Sequence, residues 1–133
     1  MNHALRLLAC AALFAGGACS THEPPKRAEV RVGESATAMR GTASWYGEQY
    51  AGRPTASGEL FDPNAITAAH PNFKFGTMVR VTSQTTGKSV VVRINDRFGG
   101  HKGRIIDLSK AAFLQIVPLE KGVDEVALEV VSN

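Results

Sequence analysis

From Thr77 to Ile94 the chain first alternates and then saturates with apolar residues, a pattern suited to extended backbone. Val79 and Val81 sit between Met78, Arg80 and Thr82, so residues 77–82 predict a strand with one buried face. Residues 88–94 carry Val90-Val91-Val92 and Ile94, which predicts a second, more deeply buried strand. Thr85-Thr86-Gly87-Lys88 supplies the hairpin turn between them. Residues 42–46 and 105–108 predict two further short strands, and residues 126–131 a fifth, with Val126, Leu128 and Val130 on one face. One helix is expected over residues 110–116, capped by Ser109 and ended by Pro118. The 93 residues from Gly41 to Asn133 suffice for one core without cross-links. Short strands with little helix favour a small closed barrel, because closure removes exposed edges.

Ahead of that domain the pattern changes twice. Arg6 followed by an apolar run over residues 7–15 reads as an export signal, too short to span a bilayer as a mature helix. Gly16-Gly17-Ala18-Cys19 resembles the lipobox of bacterial lipoproteins, in which cleavage precedes a cysteine that is then acylated. Gly16 departs from the usual Leu or Val, which leaves ordinary cleavage and soluble export as the alternative. Ser20 in place of Asp resembles lipoproteins sent to the outer membrane, held there from the periplasmic side through Cys19. Residues 19–40 are polar, contain Pro24-Pro25 and read as a linker, with an extra edge strand over residues 28–32 as the lesser alternative. The expected organisation is therefore signal peptide 1–18, linker 19–40 and barrel domain 41–133.

Composition narrows the partners. The net charge of +3 is spread evenly, and residues 41–133 hold ten basic against nine acidic side chains. Such balance argues against nucleic acid, which needs a clustered basic face. Both cysteines, Cys10 and Cys19, lie at or before the cleavage point, and the four histidines show no ligand spacing. No disulfide, metal or cofactor is expected in the mature domain, which is expected to act as a monomer.

Candidate chemistry lies where the most buried strand ends, in Arg93-Ile94-Asn95-Asp96-Arg97. A sheet would hold Asp96 at its rim, where partial burial raises a carboxyl pKa and a neighbouring Arg93 or Arg97 lowers it. Asn95-Asp96 opening a turn between solvated arginines explains the same residues without chemistry.

Six linked motifs resemble the rare lipoprotein A family: Ala43-Ser44-Trp45-Tyr46-Gly47, Gly52-Arg53-Pro54-Thr55-Ala56-Ser57-Gly58-Glu59, Thr67-Ala68-Ala69-His70, Phe75-Gly76-Thr77, Val92 to Arg97, and Arg104-Ile105-Ile106-Asp107-Leu108-Ser109. They cover nearly all of residues 41–131 in order. The resemblance implies a mainly β fold, a six-stranded double-psi β-barrel, and lytic transglycosylase activity on the glycan strands of peptidoglycan. It assigns Asp96, Glu59 and His70 to the active groove; Trp45, Tyr46, Thr55 and Arg97 are candidate substrate-binding positions within the same motifs. Asp96 would act as acid and then base; Glu59 would raise its pKa or stabilise a positive sugar; His70 would orient a carboxyl or bind the acetamido group.

Plainer roles stand beside these. Glu59 also reads as a solvated loop acid, His70 as a satisfied structural histidine, and Trp45 and Tyr46 as barrel packing. Asp107 reads as a brace of the fold or a helix cap. Two departures from the family pattern stand out: Phe98-Gly99-Gly100-His101 follows Arg97 where many relatives have Gly-Pro-Phe, and residues 41–133 do not include the C-terminal repeat domain of many relatives, so septal recruitment is not carried over as an expectation. Two other functions remain open from sequence: a non-catalytic, expansin-like glycan-binding lipoprotein, and hydrolysis by Glu59 and Asp96 as a carboxylate pair.

Overall fold

The computed structural model describes residues 38–133. Six strands form β1 (Met39–Tyr46), β2 (Thr67–Ala69), β3 (Met78–Ser83), β4 (Ser89–Asp96), β5 (Arg104–Ser109) and β6 (Val123–Ser132), with one helix, α1 (Lys110–Leu114). Single 3₁₀ turns occupy Glu48–Tyr50 and Leu119–Lys121. The expected lipidated Cys19, its signal and the linker up to residue 37 lie outside the described residues.

The strands close in the order β1-β5-β2-β4-β3-β6. Two pairs run parallel, β1 with β5 and β2 with β4, and the other four neighbours are antiparallel. The alternation in residues 77–82 is realised in β3, where Val79 and Val81 are fully buried. Val92, Ile94, Ile106, Leu108 and Val126 complete the barrel interior from the other strands. Strand β5 is buried on both sides over its last four residues, because α1 and the segment before β2 cover its outer face. Ser109 Oγ makes that junction: it donates to the Ala65 carbonyl at 2.6 Å and accepts from the Ala112 amide at 3.2 Å.

The observed elements depart from the sequence expectations at three places. β1 begins at Met39, ahead of the expected residue 42, because Met39 to Thr42 pair with Glu125 to Leu128 of a β6 that is itself longer than predicted. The helix stops at Leu114, after which Gln115 to Val117 tighten into a turn before Pro118. β2 has no counterpart in the pattern reading: Thr67, Ala68 and Ala69 are all buried, so three residues neither alternate nor show branched enrichment.

Each parallel pair contains a register shift, carried by β4 in one and by β5 in the other. In β2–β4, Ala68 faces Ile94 and Ala69 faces Asp96, so Asn95 is the extra residue of a bulge. In β1–β5, Thr42 faces Arg104 and Ala43 faces Ile106, which leaves Ile105 extra. A bulge bends its strand and re-aims the next side chain. Gly41 permits the second approach, since a Cβ there would lie 2.7 Å from Ile105 Cγ2 and 2.9 Å from the Gly103 carbonyl.

Candidate active site

The two bulged strands, β4 and β5, end beside the same cleft, an opening of about 480 Å³. Asp96 and Asp107 line it, together with Trp45, Tyr46, Thr55 and Arg97. Five of the seven expected site residues therefore meet in one cavity. Glu59 and His70 are not among its lining residues.

Asp96 is half-buried as the last residue of β4. Its Oδ1 accepts from the Ala56 amide at 2.9 Å and from the Arg97 amide at 2.8 Å. Among the described residues no hydrogen bond reaches Oδ2, which leaves that oxygen for a ligand or a proton. Neither flanking arginine pairs with this carboxylate. Arg93 points to Glu59, while the Arg97 guanidinium donates to the carbonyls of His70 at 3.1 Å and Asp96 at 3.3 Å, 4.0 Å above the Phe75 ring.

Glu59 sits on an exposed turn and receives both terminal nitrogens of Arg93, at 2.6 and 2.9 Å. This pairing with Arg93, helped by Ser57 and Asn95, holds its carboxyl below the usual range. Glu59 is thus an ionised group whose charge is neutralised on the spot.

His70 is only 2 % exposed. Its Nδ1 accepts from the amides of Asn72 and Phe73, both at 3.1 Å, so the ring proton belongs on Nε2, which is buried without a partner. The ring stacks on Phe73 at 3.8 Å and forms no side-chain hydrogen bond with Asp96 or Glu59. Its main chain does touch the acid, donating from the His70 amide to the Asp96 carbonyl at 3.2 Å. Burial, and then the charge of Arg97, push the imidazole down to about 4. Between that value and the unfolded value near 6.5 the unfolded chain binds a proton that the native chain refuses, so stability falls as pH drops through this window. The expected cost between pH 7 and pH 4 is on the order of 2 kcal/mol. Denaturant titrations across that range should show this slope in the wild type and its loss in His70→Asn, whose carbonyl can replace Nδ1 as acceptor.

The cleft walls are aromatic. Tyr46 packs on Phe61 at 4.2 Å and meets Tyr50 edge-on at 6.3 Å. Its hydroxyl is buried without a well-formed hydrogen bond, and burial first, then the charges of Asp96 and Asp107, hold the phenol well above its ordinary value. Trp45 lines the cleft and also touches the core, with its ring 6.4 Å from Phe113, so packing and groove-lining roles coexist.

Sequence reasoning undervalued Asp107. It does brace the fold, accepting from Ser44 Oγ at 2.5 Å and Arg104 at 2.6 Å, and Ser109 itself caps the helix. It is also the second carboxylate of the cleft. The available signal was an acid set directly after the apolar pair Ile105-Ile106 and before Leu108, inside a strand otherwise bound for the core. Arg53 and Tyr50, stacked at 5.5 Å, were also missed as lining residues. Among the described residues no three His, Cys, Asp or Glu side chains gather as a metal centre requires.

Residues 38–128 match the family model described as "Lytic transglycolase". The chain belongs to the lytic transglycolase family. Within it, the chain stands with the proteins named for rare lipoprotein A. It is 51 % identical over 97 residues to the "Probable endolytic peptidoglycan transglycosylase RlpA" of Nostoc sp., an alignment of 71 % of this chain and 26 % of the relative. It is 48 % identical over 89 residues to "Endolytic peptidoglycan transglycosylase RlpA" of Neisseria meningitidis serogroup A, covering 67 % of this chain and 37 % of that one. The chain thus spans roughly a quarter to a third of these family members' lengths. Among solved structures, the Streptomyces papain inhibitor superimposes with a TM-score of 0.58 at 23 % identity, over 72 % of this chain and 96 % of that one. An apo Clavibacter michiganensis expansin gives 0.58 at 21 % identity, over 73 % and 52 %. These two likenesses concern the fold, which is the double-psi β-barrel expected of the family.

Proposed function

We propose that this domain is an endolytic lytic transglycosylase that cleaves peptidoglycan glycan strands between N-acetylmuramic acid and N-acetylglucosamine. The observation that carries the reading is Asp96: a half-buried carboxyl in an aromatic-walled cleft, with one oxygen fixed by two amides and the other open. Names of relatives sharing about half of the aligned residues support the substrate class.

Asp96 first gives a proton from Oδ2 to the glycosidic oxygen, and the bond to the anomeric carbon breaks. The carboxylate then takes the proton of the C6 hydroxyl of the same muramoyl residue, whose oxygen closes on the anomeric carbon as a 1,6-anhydro ring. The proton given equals the proton taken, so no water is consumed and one group serves as acid and base. The fixed Oδ1 contributes by removing carboxyl rotation before the substrate arrives. Trp45, Tyr46 and Tyr50 offer apolar faces to the sugar rings, Thr55 forms part of the cleft wall, and Arg97 holds the Ala69-His70 segment to the acid. Release of soluble fragments from purified peptidoglycan tests turnover. Sedimentation of the protein with the wall, with nothing released, would instead favour an expansin-like binder.

Lipidation at Cys19, with retention at the periplasmic face of the outer membrane, completes the proposal and puts the protein in the cell envelope. Two acyl chains would add about 0.8 kcal/mol per buried methylene, enough for a lasting anchor. Cys19→Ala should leave the domain active and move it from the membrane fraction to the soluble fraction. Unchanged sedimentation with membranes would argue against the anchor.

A further inference from the structure

The geometry points to Arg93 and Glu59 as paired positioning residues, whose contact holds the 55–59 turn against β4 so that the Ala56 amide fixes the Asp96 carboxyl. This inference deepens the reading of Asp96 as acid and base, and rests on it for its kinetic consequences.

The turn is internally rigid. The Thr55 amide and Oγ1 both donate to the Glu59 carbonyl, at 2.7 and 2.9 Å, and the Gly58 amide donates to the Thr55 carbonyl at 2.9 Å. Gly58 takes a φ of +89°, which closes the turn at a position where a side chain would strain it. Such a unit moves as one piece, so displacing Glu59 displaces Ala56.

Three contacts sew this turn to β4. Glu59 binds Arg93 through two charged hydrogen bonds; the Ser57 amide donates to the Asn95 carbonyl at 3.3 Å; the Ala56 amide donates to Asp96 Oδ1 at 2.9 Å. The middle contact is long, and the last one is the contact to be positioned. The bidentate pair is therefore the strongest independent tie. In a regular strand residues 93 and 96 would project to opposite faces. The bulge at Asn95 breaks that alternation, so both side chains reach the same turn.

The alternative is that Glu59 acts on the sugar itself. Its two oxygens are already engaged by the guanidinium, and it does not line the cleft. A paired carboxylate outside the cavity contributes little to charge developing inside it, whereas losing the pair releases the turn that orients the acid.

Steady-state kinetics on soluble glycan fragments, with the Ala56 amide followed by NMR, tests the assignment on the purified barrel-bearing chain. Glu59→Ala and Arg93→Ala are each expected to lower kcat about tenfold with KM nearly unchanged, and the double variant to be no worse than either. Glu59→Gln keeps one acceptor for Arg93 and should stay within about threefold of wild type. Exchanging the charges, Glu59→Arg with Arg93→Glu, should recover part of the loss. The Ala56 amide, hydrogen-bonded to Asp96 Oδ1 in the wild type, should shift its resonance and exchange faster with solvent in both alanine variants. Loss in Glu59→Ala as deep as in Asp96→Asn, with Arg93→Ala near normal, would overturn the pairing and put Glu59 on the sugar. An Ala56 amide unaffected by either alanine variant would overturn it too. Should the wild type prove inactive, the functional reading fails while the amide still decides the positioning claim.

Discussion

Asp96→Asn is expected to lower turnover by about a hundred- to ten-thousandfold, the range typical of removing a positioned acid and base, with the fold and glycan affinity nearly intact. The structure gives the reason for both halves. The asparagine carbonyl can take the place of Oδ1 and accept from Ala56 and Arg97, so the local hydrogen bonds survive. The amide nitrogen would then occupy the place of Oδ2 and can neither yield nor accept a proton in the reaction. Measured kcat should collapse while KM, the thermal midpoint and pelleting with peptidoglycan hold. Retained cleavage by this variant would remove Asp96 from the acid role and direct attention to Asp107, the other carboxylate of the cleft.

The largest stability effect is expected from Phe113→Ala, a loss of about 3–5 kcal/mol. A helix of five residues such as α1 has no stability of its own and persists by packing. Phe113 is the largest fully buried side chain in the chain's described core, and Ala112 beside it is equally buried. Truncation would leave a cavity under Trp45, whose ring rests against Phe113. Leu114, next in sequence, is 57 % exposed, so Leu114→Ala should cost no more than about 0.5 kcal/mol. Urea titrations with an unchanged slope check both variants. Similar midpoints for the two would show that α1 is not an integral part of the barrel core.

The residues whose environment is set by their own strand were legible in the sequence. Val79, Val81, Val92 and Ile94 announce β3 and β4 because one buried face imposes a period of two, and Asp96 announces itself as the polar end of that apolar run. Ser109 likewise signals its cap through its position before an apolar helix. β2 was illegible for the opposite reason. Thr67 to Ala69 are enclosed on every side by β4, β5 and the turn at His70, an environment supplied by distant residues. The short strands anticipated a small closed barrel, but strand order was beyond pattern reading, and only the family resemblance anticipated six strands in the double-psi arrangement.

The same distinction runs through the site. Trp45, Tyr46, Thr55, Asp96 and Arg97 reach the cleft from segments whose motifs were recognisable. Glu59 and His70 share those motifs, yet one is engaged by Arg93 and the other by the amides of Asn72 and Phe73. A motif records that a residue matters to the site's construction, and only the side-chain partners separate groups that face the cavity from groups that hold it in shape. Asp107 shows the converse, a brace by its hydrogen bonds and a cleft carboxylate by its location.

The chemical form of the product ends tests the central claim most directly. Mass spectrometry of soluble fragments released from peptidoglycan by the purified protein, with and without stem peptides on the glycan, should find 1,6-anhydro muramoyl ends, each one water lighter than the corresponding hydrolysis product. Reducing ends would contradict the account by making water the nucleophile, and a wall that binds the protein yet releases nothing would leave a glycan-binding barrel without turnover.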